Sequence, residues 1–233
     1  MKNFSVKVLC EIAIFAAIGF VLDILQGGIW KGAFVNGGSI GIAMVPVFVI
    51  AYRRGLVPGI ICGLLLSLVQ MLGGIYVING TTGWRSTIGP FLQIMLDYVL
   101  AYTVVGFAGA FSGMYKKSNG KTKYIAIICG CILGGMLKYI CHVLSGGLFW
   151  LGDGSYKFLG VANSSWLYSF VYNGAFSIPN IIICLVIMIL IAKFYPMFID
   201  PEINSHRVHD WEKDEDDEIK TYADNASIEE DKE

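Results

Sequence analysis

The feature that most restricts the fold of this 233-residue chain is a series of long apolar runs, which follow one another almost to residue 199. A run of about 17–25 residues is long enough to cross a bilayer as a helix. Because several runs follow in succession, a cleaved signal peptide does not account for the first of them. Spanning segments are either helices or strands of a closed barrel, and these runs are continuously apolar rather than alternating. The sequence therefore predicts an all-α, multi-pass membrane protein.

We predict a six-transmembrane-helix bundle, with spans at residues 8–27, 38–52, 55–74, 88–114, 123–150 and 164–195. The second span is the shortest, and a re-entrant segment is an alternative for it. With six spans and a cytoplasmic N-terminus, nine basic residues face the cytoplasm and three face outside, in agreement with the positive-inside rule. A five-span arrangement with an external N-terminus divides them eight to four, so charge alone leaves the number of spans open.

Charge divides the chain into two unlike parts. Residues 1–199 contain four acidic and 13 basic side chains, whereas residues 200–233 contain 14 acidic and four basic ones. A segment as polar as the second part cannot bury enough apolar surface to fold by itself. We therefore predict a membrane-embedded substrate-binding domain over residues 1–199 and a disordered acidic cytoplasmic tail over residues 200–233.

Ionisable side chains occur within the predicted spans, where each costs about 2.5–3.5 kcal/mol to insert. Asp97 lies in the fourth span, and Lys138 and His142 lie one turn apart in the fifth. At a rise of about 1.5 Å per residue, Asp97, His142 and Tyr168–Asn173 of the sixth span reach similar depths in the outer half of the bundle. This agreement predicts a polar cavity that opens to the outside. The alternative is a buried ion pair of Asp97 with Lys138 and a satisfied core histidine. We expect Lys138 to be a structural partner of Asp97 rather than a ligand contact.

Tryptophan placement adds a weaker indication. Four of the five tryptophans fall at the predicted outer ends of spans, at positions 30, 84, 150 and 166. An interfacial aromatic belt explains most of them. An aromatic face beside a polar cavity also attracts a desolvated cation by up to about 2 kcal/mol, so one or two of them are candidates to cap a cationic ligand.

The sequence contains no pattern typical of an enzyme. It has no phosphate-binding glycine loop, no metal-ligand spacing and no arrangement of an activated nucleophile. Its six cysteines all lie in apolar stretches, and we interpret them as small buried hydrophobic residues. We predict no metal, no cofactor and no nucleic-acid partner. The chain also lacks a nucleotide-binding domain, so ATP-driven transport would require partner subunits.

Several motifs occur in a characteristic order: Pro46–Gly55, Leu96–Tyr98, Leu137–Gly146, Phe149–Trp150 and Tyr168–Asn173. In this combination they resemble the thiamine-specific S component, which is the substrate-binding membrane subunit of energy-coupling factor (ECF) transporters. The resemblance covers roughly residues 8–198 and leaves out the acidic tail.

The resemblance implies a compact six-helix fold with both termini in the cytoplasm, in a multi-pass protein of the plasma membrane. It also implies that the chain binds thiamine tightly from the outside and does not itself hydrolyse ATP. A transmembrane coupling subunit and two cytoplasmic ATPase subunits would then supply the energy for uptake.

The same resemblance implies roles for individual residues. The carboxylate that matches Asp97 contacts the aminopyrimidine ring in the family. His142, Tyr168 and Asn173 match polar ligands of the pocket, and Trp150 matches an aromatic residue that stacks on the substrate. A positively charged thiazolium ring suits such aromatic faces and a nearby carboxylate. The full set of predicted thiamine contacts is Asp97, Tyr98, His142, Trp150, Tyr168 and Asn173.

On the first span, Ala13 and Ala17 match an Ala-x-x-x-Ala motif that the family packs against its membrane partner. Small residues four positions apart allow two helices to approach closely in a membrane. Packing inside the bundle is the alternative for this pair.

Two other functions are compatible with the same residues. The first keeps the fold and changes the ligand to another vitamin, such as riboflavin, or to a thiamine precursor. The second is a proton-coupled carrier that works alone, with Asp97 and His142 as a proton relay.

Overall fold

The computed structural model describes residues 5–30, 32–34, 37–78 and 87–201. The predicted acidic tail lies outside the described residues from position 202 onward, and so does Trp84. The described part is mostly helical, and its helices are α1 (Val6–Ile29), α2 (Val45–Arg54), α3 (Leu56–Met71), α4 (Gly89–Lys117), α5 (Lys121–Phe149) and α6 (Trp166–Phe194). A short 3₁₀ turn, Pro196–Phe198, follows α6.

Four of these helices, α1, α4, α5 and α6, are long and apolar enough to cross a membrane. Helix α3 has 16 residues and α2 only ten, which correspond to roughly 24 Å and 15 Å. The second predicted span, 38–52, therefore matches a helix only in its second half. The span does not begin as a helix because its first residue, Gly38, has a φ angle of 117° and Gly37 before it has one of 84°, which no α-helix contains.

The short helix α2 forms the centre of the core. Its residues Val45–Tyr52 are all buried, and apolar side chains lie on every side of the helix. A helix with this pattern is surrounded by other helices rather than by solvent or lipid on one side. At its C-terminal end, the Tyr52 hydroxyl donates a 2.7 Å hydrogen bond to the Ala126 carbonyl and thereby links α2 to α5.

The outer surface of the bundle is apolar. On α1, for example, Ile14 is 57% exposed and Val21 is 55% exposed. A soluble protein seldom leaves so many large apolar side chains uncovered, whereas a lipid bilayer solvates them. Ala13 and Ala17 also lie on this exposed face of α1, which does not agree with their packing inside the bundle.

Helices α3 and α4 cross in close contact through glycines. A Cβ atom on Gly106 would overlap the backbone of Gly59, and one on Gly63 would overlap the backbone of Tyr102. Small residues at such crossings let two backbones touch and compensate for the weak hydrophobic drive between helices in lipid. This contact fixes how α4 sits beside α3.

Helix α4 is irregular along most of its length. It consists of an α-helical start, a π-helical turn, a short α-helical piece, a 3₁₀ stretch and an α-helical end: Gly89–Ile94, Met95–Leu100, Ala101–Thr103, Val104–Phe111 and Ser112–Lys117. Wide π-helical turns inside α-helices occur frequently at functional sites. Both Asp97 and Tyr98 lie in this one.

A two-stranded hairpin connects α5 to α6. Strand β1 (Lys157–Phe158) pairs antiparallel with β2 (Val161–Ala162), and Lys157 lies opposite Ala162. The turn residues Leu159 and Gly160 have φ angles of 47° and 82°, as a tight hairpin turn requires. Phe158 packs edge-on against Tyr172 at a centroid distance of 5.0 Å, so the hairpin covers the start of α6.

The opposite end of the bundle carries a cluster of charged side chains. Glu11 of α1 accepts hydrogen bonds from both Arg53 and Arg54 at the end of α2. Arg53 Nη1 also donates to the Met197 carbonyl at 2.7 Å, and Lys116 Nζ donates to the Arg53 carbonyl at 2.9 Å. These bonds join the first turns of α1, the α2–α3 junction, the end of α4 and the segment after α6.

Candidate functional site

A cavity of about 690 Å³ lies at the end of the bundle where α1, α3 and α5 finish and where α4 and α6 begin. Its size is typical of a site for a small organic ligand. Within the described ranges, no group of three or more His, Cys, Asp or Glu side chains could hold a metal ion. All six residues predicted as ligand contacts line this cavity: Asp97, Tyr98, His142, Trp150, Tyr168 and Asn173.

Asp97 is the centre of a hydrogen-bond network in the cavity wall. Its Oδ2 accepts from Ser145 Oγ at 2.7 Å and from Trp150 Nε1 at 3.1 Å. Its Oδ1 lies 3.4 Å from His142 Nδ1. These contacts fix the orientation of a carboxylate that is 16% exposed and faces the cavity. The sequence analysis did not single out Ser145, although it lies three residues after His142 and therefore on the same face of α5.

Trp150 has contacts beyond those predicted for it. It caps the C-terminal end of α5, and its indole ring stacks on Tyr76 at a centroid distance of 5.4 Å. The indole N–H also orients Asp97. The other tryptophans differ from it: Trp30 and Trp166 are not among the cavity-lining residues.

Tyr98 anchors the segment that follows α3. Its hydroxyl accepts a 2.8 Å hydrogen bond from the Tyr76 backbone N–H. The Gln93 side chain holds the same segment, since its Oε1 accepts from the Ile78 N–H at 3.1 Å. Residues 76–78 are therefore held against α4, and Tyr76 is a cavity-lining residue that the sequence analysis missed.

On α6, Asn173 presents one half of its amide to the cavity. Its Nδ2 donates to the Ser169 carbonyl at 2.9 Å and to the His142 carbonyl at 3.3 Å. Among the residues that the structure describes, none donates a hydrogen bond to its Oδ1. Tyr168, one turn earlier, stacks on Tyr172 at a centroid distance of 5.5 Å. This side of the cavity thus offers an amide oxygen next to an aromatic wall.

Lys138 does not pair with Asp97 as predicted. Its Nζ lies 3.5 Å from the centre of the Tyr102 ring, and the carboxylate that acts on it is Asp23 of α1. The reason is that Lys138 lies one helical turn before His142, about 6 Å deeper in the bundle, where α1 rather than the π-helical turn of α4 faces it. The cavity therefore contains a second carboxylate, Asp23, which the sequence analysis did not assign to the site.

The comparisons with known proteins are consistent with one another. The family described as "Thiamine transporter protein (Thia_YuaJ)" matches residues 9–200. The chain is 32% identical over 196 residues to the thiamine transporter ThiT of Bacillus subtilis (strain 168), which covers 82% of this chain and 93% of that protein. ThiT of Lacticaseibacillus paracasei (strain ATCC 334) is 29% identical over 197 residues, covering 81% and 88%.

A solved structure agrees with these sequence matches. ThiT from Listeria monocytogenes superimposes with a TM-score of 0.66 at 29% identity, covering 83% of this chain and 97% of that one. The family match begins within the first turn of α1 and contains α2 to α6, and the acidic residues from 201 onward lie beyond it. The chain thus belongs to the thiamine transporter protein (Thia_YuaJ) family.

Proposed function

We propose that this chain is the thiamine-binding S component of an ECF-type vitamin importer in the plasma membrane. The observation that carries the proposal is the charge of the cavity. Its lining contains Asp23, Asp97 and Lys138, which together have a formal charge of −1 when His142 is neutral. Thiamine carries a permanent single positive charge on its thiazolium ring, so the occupied cavity would be electrically neutral. A buried charge is tolerated when it is paired in this way.

The polar groups of the cavity also match the rest of the molecule. The aminopyrimidine ring of thiamine presents an amino donor and ring-nitrogen acceptors. The Asp97 carboxylate and the Asn173 Oδ1 are acceptors for the amino group, and His142 is a donor or acceptor for a ring nitrogen. Trp150, Tyr98 and Tyr168 provide aromatic surface, on which a thiazolium cation is favourable.

The proposed topology has six spans, both termini in the cytoplasm and the cavity facing outside. It is supported by the distribution of basic residues at the end of the bundle opposite the cavity. That end includes Arg53 and Arg54, and the α4–α5 connection with Lys116, Lys117 and Lys121. Such a concentration of Lys and Arg is typical of the cytoplasmic side.

Uptake would require partners, namely a transmembrane coupling subunit and two cytoplasmic ATPase subunits. The exposed face of α1 supports a membrane partner. Ala13 and Ala17 are both exposed there, and Ala17 borders a shallow apolar groove with Ile14 and Ile18. Because small side chains let a second helix approach closely, we assign this face to the coupling subunit.

The test is calorimetric titration of the purified chain with thiamine, with riboflavin as the control ligand. We expect one-to-one thiamine binding by the chain alone and no riboflavin binding. Absence of thiamine binding by folded, ligand-free protein would contradict the proposal. Thiamine uptake by the chain alone in proteoliposomes, driven by a pH gradient without ATP, would favour the proton-coupled carrier instead.

Replacing Trp150 by phenylalanine separates the two contributions of this residue. Phenylalanine keeps an aromatic face toward the cavity but removes the indole N–H that donates to Asp97. We expect the thiamine Kd to rise about tenfold, the effect of losing one hydrogen bond to a charged group. Trp166→Phe is the matched control, because Trp166 does not line the cavity. Equal affinities of the two variants would show that the indole N–H has no part in binding.

A further inference from the structure

The end of the bundle opposite the cavity carries a dense group of lysines, which we call the lysine cluster. Lys116 and Lys117 end α4, and Lys121 and Lys123 lie in the first turn of α5, with no acidic residue between them. All but the last of these side chains are exposed. Within the described ranges, no carboxylate oxygen lies within salt-bridge distance of any of the four.

Two members of the lysine cluster are held in place by neutral groups. Lys116 Nζ donates a 2.9 Å hydrogen bond to the Arg53 carbonyl. Lys123 Nζ lies 4.8 Å from the centre of the Tyr115 ring. A carbonyl and an aromatic ring orient an ammonium group without adding a formal negative charge. The cluster therefore keeps its four positive charges and attracts an anionic partner.

The chain returns to the lysine cluster after α6. Ile199 is fully buried, and the Met197 carbonyl accepts a 2.7 Å hydrogen bond from Arg53 Nη1. The segment is thereby fixed against the end of α2. The Asp200 carboxylate lies close enough to Tyr115 to act on its hydroxyl, and the lysine cluster follows Tyr115 directly in sequence. The last fixed part of the chain therefore lies beside the cluster.

The sequence that follows contains a strongly acidic segment, which we define as residues 210–218. It has seven acidic side chains and one basic side chain, a net charge of −6. The segment lies outside the described residues and beyond the family match, which ends at residue 200. Nine residues separate Pro201 from Asp210, and they span up to about 30 Å when extended. The connection is thus long enough for the segment to reach the lysine cluster.

We propose that the acidic segment docks on the lysine cluster of the same molecule. A single exposed ion pair contributes little, but several pairs together contribute more, and the connection to α6 keeps the segment at a high effective concentration. The competing occupant is an anionic lipid headgroup of the adjoining leaflet, which the same lysines attract. The segment is favoured because it brings seven carboxylates on one chain, whereas a phosphatidylglycerol headgroup brings one charge. Docking neutralises this end of the bundle and covers it against anionic lipid.

The experiment is zero-length crosslinking of the full chain in detergent with a carbodiimide, which joins a carboxylate to an amine only where the two are in contact. The monomer band is digested, and mass spectrometry identifies the lysines that are joined to the acidic segment. Lys193 is the internal reference, because it is exposed and lies only eight residues before Pro201. We expect joining to Lys117 and Lys121 to exceed joining to Lys193 by at least about fivefold.

A charge-neutralised variant tests the role of the acidic segment. It carries Asp214→Asn, Glu215→Gln, Asp216→Asn and Asp217→Asn, and leaves three carboxylates in the segment to react. We expect the preference over Lys193 to fall to about twofold or less, since exposed ion pairs are lost. The matched control also neutralises four acids of the tail but none in the segment, and it should keep the preference: Asp224→Asn, Glu229→Gln, Glu230→Gln and Asp231→Asn.

Salt and lipid complete the test. At 0.5 M NaCl the screening length is about 4 Å, and the preference over Lys193 should disappear. Equal joining to Lys193 at low salt would overturn the proposal, and so would products confined to the dimer band, which would identify a second copy as the occupant. In lipid nanodiscs, we expect the same preference with phosphatidylcholine alone and with added phosphatidylglycerol. Loss of the preference with phosphatidylglycerol would assign the lysine cluster to lipid and overturn the proposal.

This inference is independent of the ligand in the cavity. The lysine cluster and the acidic segment do not line the cavity, and no step of the crosslinking needs thiamine. Failure of thiamine binding would therefore remove the proposed function and leave the docking in place. Failure of the crosslinking would remove the docking and leave the proposed function.

Discussion

Replacing Asp97 by asparagine is expected to weaken thiamine binding by about 10- to 100-fold, the range for losing a hydrogen bond to a charged group. The substitution removes the negative charge that makes the cavity complementary to a cation. It also turns one of the two acceptor oxygens into an N–H₂ donor, which faces either His142 Nδ1 or the pair Ser145 Oγ and Trp150 Nε1. The loss therefore includes both a weaker attraction for the ligand and a disturbed network around it.

Calorimetric titration of the Asp97→Asn variant with thiamine measures this effect. The matched control is Asp153→Asn, which removes a carboxylate from an exposed position outside the cavity, where the side chain accepts a hydrogen bond from the nearby Ser155 N–H. We expect the control to bind thiamine as the wild type does. Wild-type affinity in Asp97→Asn would exclude Asp97 from the binding site and would leave the charge argument without its main carboxylate.

The second large effect concerns folding rather than binding. Gly106→Ala is expected to destabilise the bundle by about 2–3 kcal/mol or to prevent folding. Its new methyl group would overlap the backbone of Gly59 and Ile60 on α3, and backbone atoms cannot rotate away as a side chain can. Because α3 and α4 then have to separate, the core around α2 loses contacts as well.

Gly113→Ala is the control on the same helix, since a Cβ atom at that position meets no atom within 4 Å. Alanine is a better helix former than glycine, by up to about 1 kcal/mol, so this variant should be as stable as the wild type or slightly more stable. Thermal unfolding in detergent, followed with a thiol-reactive dye, suits the chain because Cys62, Cys131 and Cys184 are fully buried. An unchanged midpoint for Gly106→Ala would contradict the close α3–α4 contact.

The two substitutions test different properties of α4. Asp97→Asn should lower the melting temperature without ligand less than Gly106→Ala does, because asparagine has nearly the same size and shape as aspartate. Gly106→Ala should lower that temperature, and any folded fraction should bind thiamine with near-normal affinity, since Gly106 does not line the cavity. A variant that changed both properties equally would indicate that stability and binding are coupled through α4.

Much of the architecture follows from the sequence. The long apolar runs predict helices of the lengths found in α1, α4, α5 and α6, because a bilayer accepts only segments whose backbone groups are satisfied internally. The depth of polar residues along these helices predicts a cavity, and all six predicted contacts line it. Depth is readable because the helical rise is constant, so position along the chain converts directly into position across the membrane.

The direction in which each side chain points is not readable in the same way. Lys138 and Asp97 have suitable charges, yet Lys138 faces Tyr102 and Asp23 instead. The rotation of α4 depends on its π-helical and 3₁₀ turns and on the glycine contact with α3, none of which hydropathy records. Likewise, α2 is as apolar as a membrane span, although it has only ten residues. The other helices enclose it, and this enclosure accounts for its apolar character on all sides.

The sequence by itself therefore determined the long apolar helices and the level along them at which a polar cavity forms. The tertiary structure decided which groups meet there: Ser145 and Trp150 on Asp97, Tyr76 on Trp150, and Asp23 with Lys138 around Tyr102. The physical reason is that apolar periodicity and helical rise are local properties of the chain. The rotation of one helix against another depends on close packing between residues far apart in sequence.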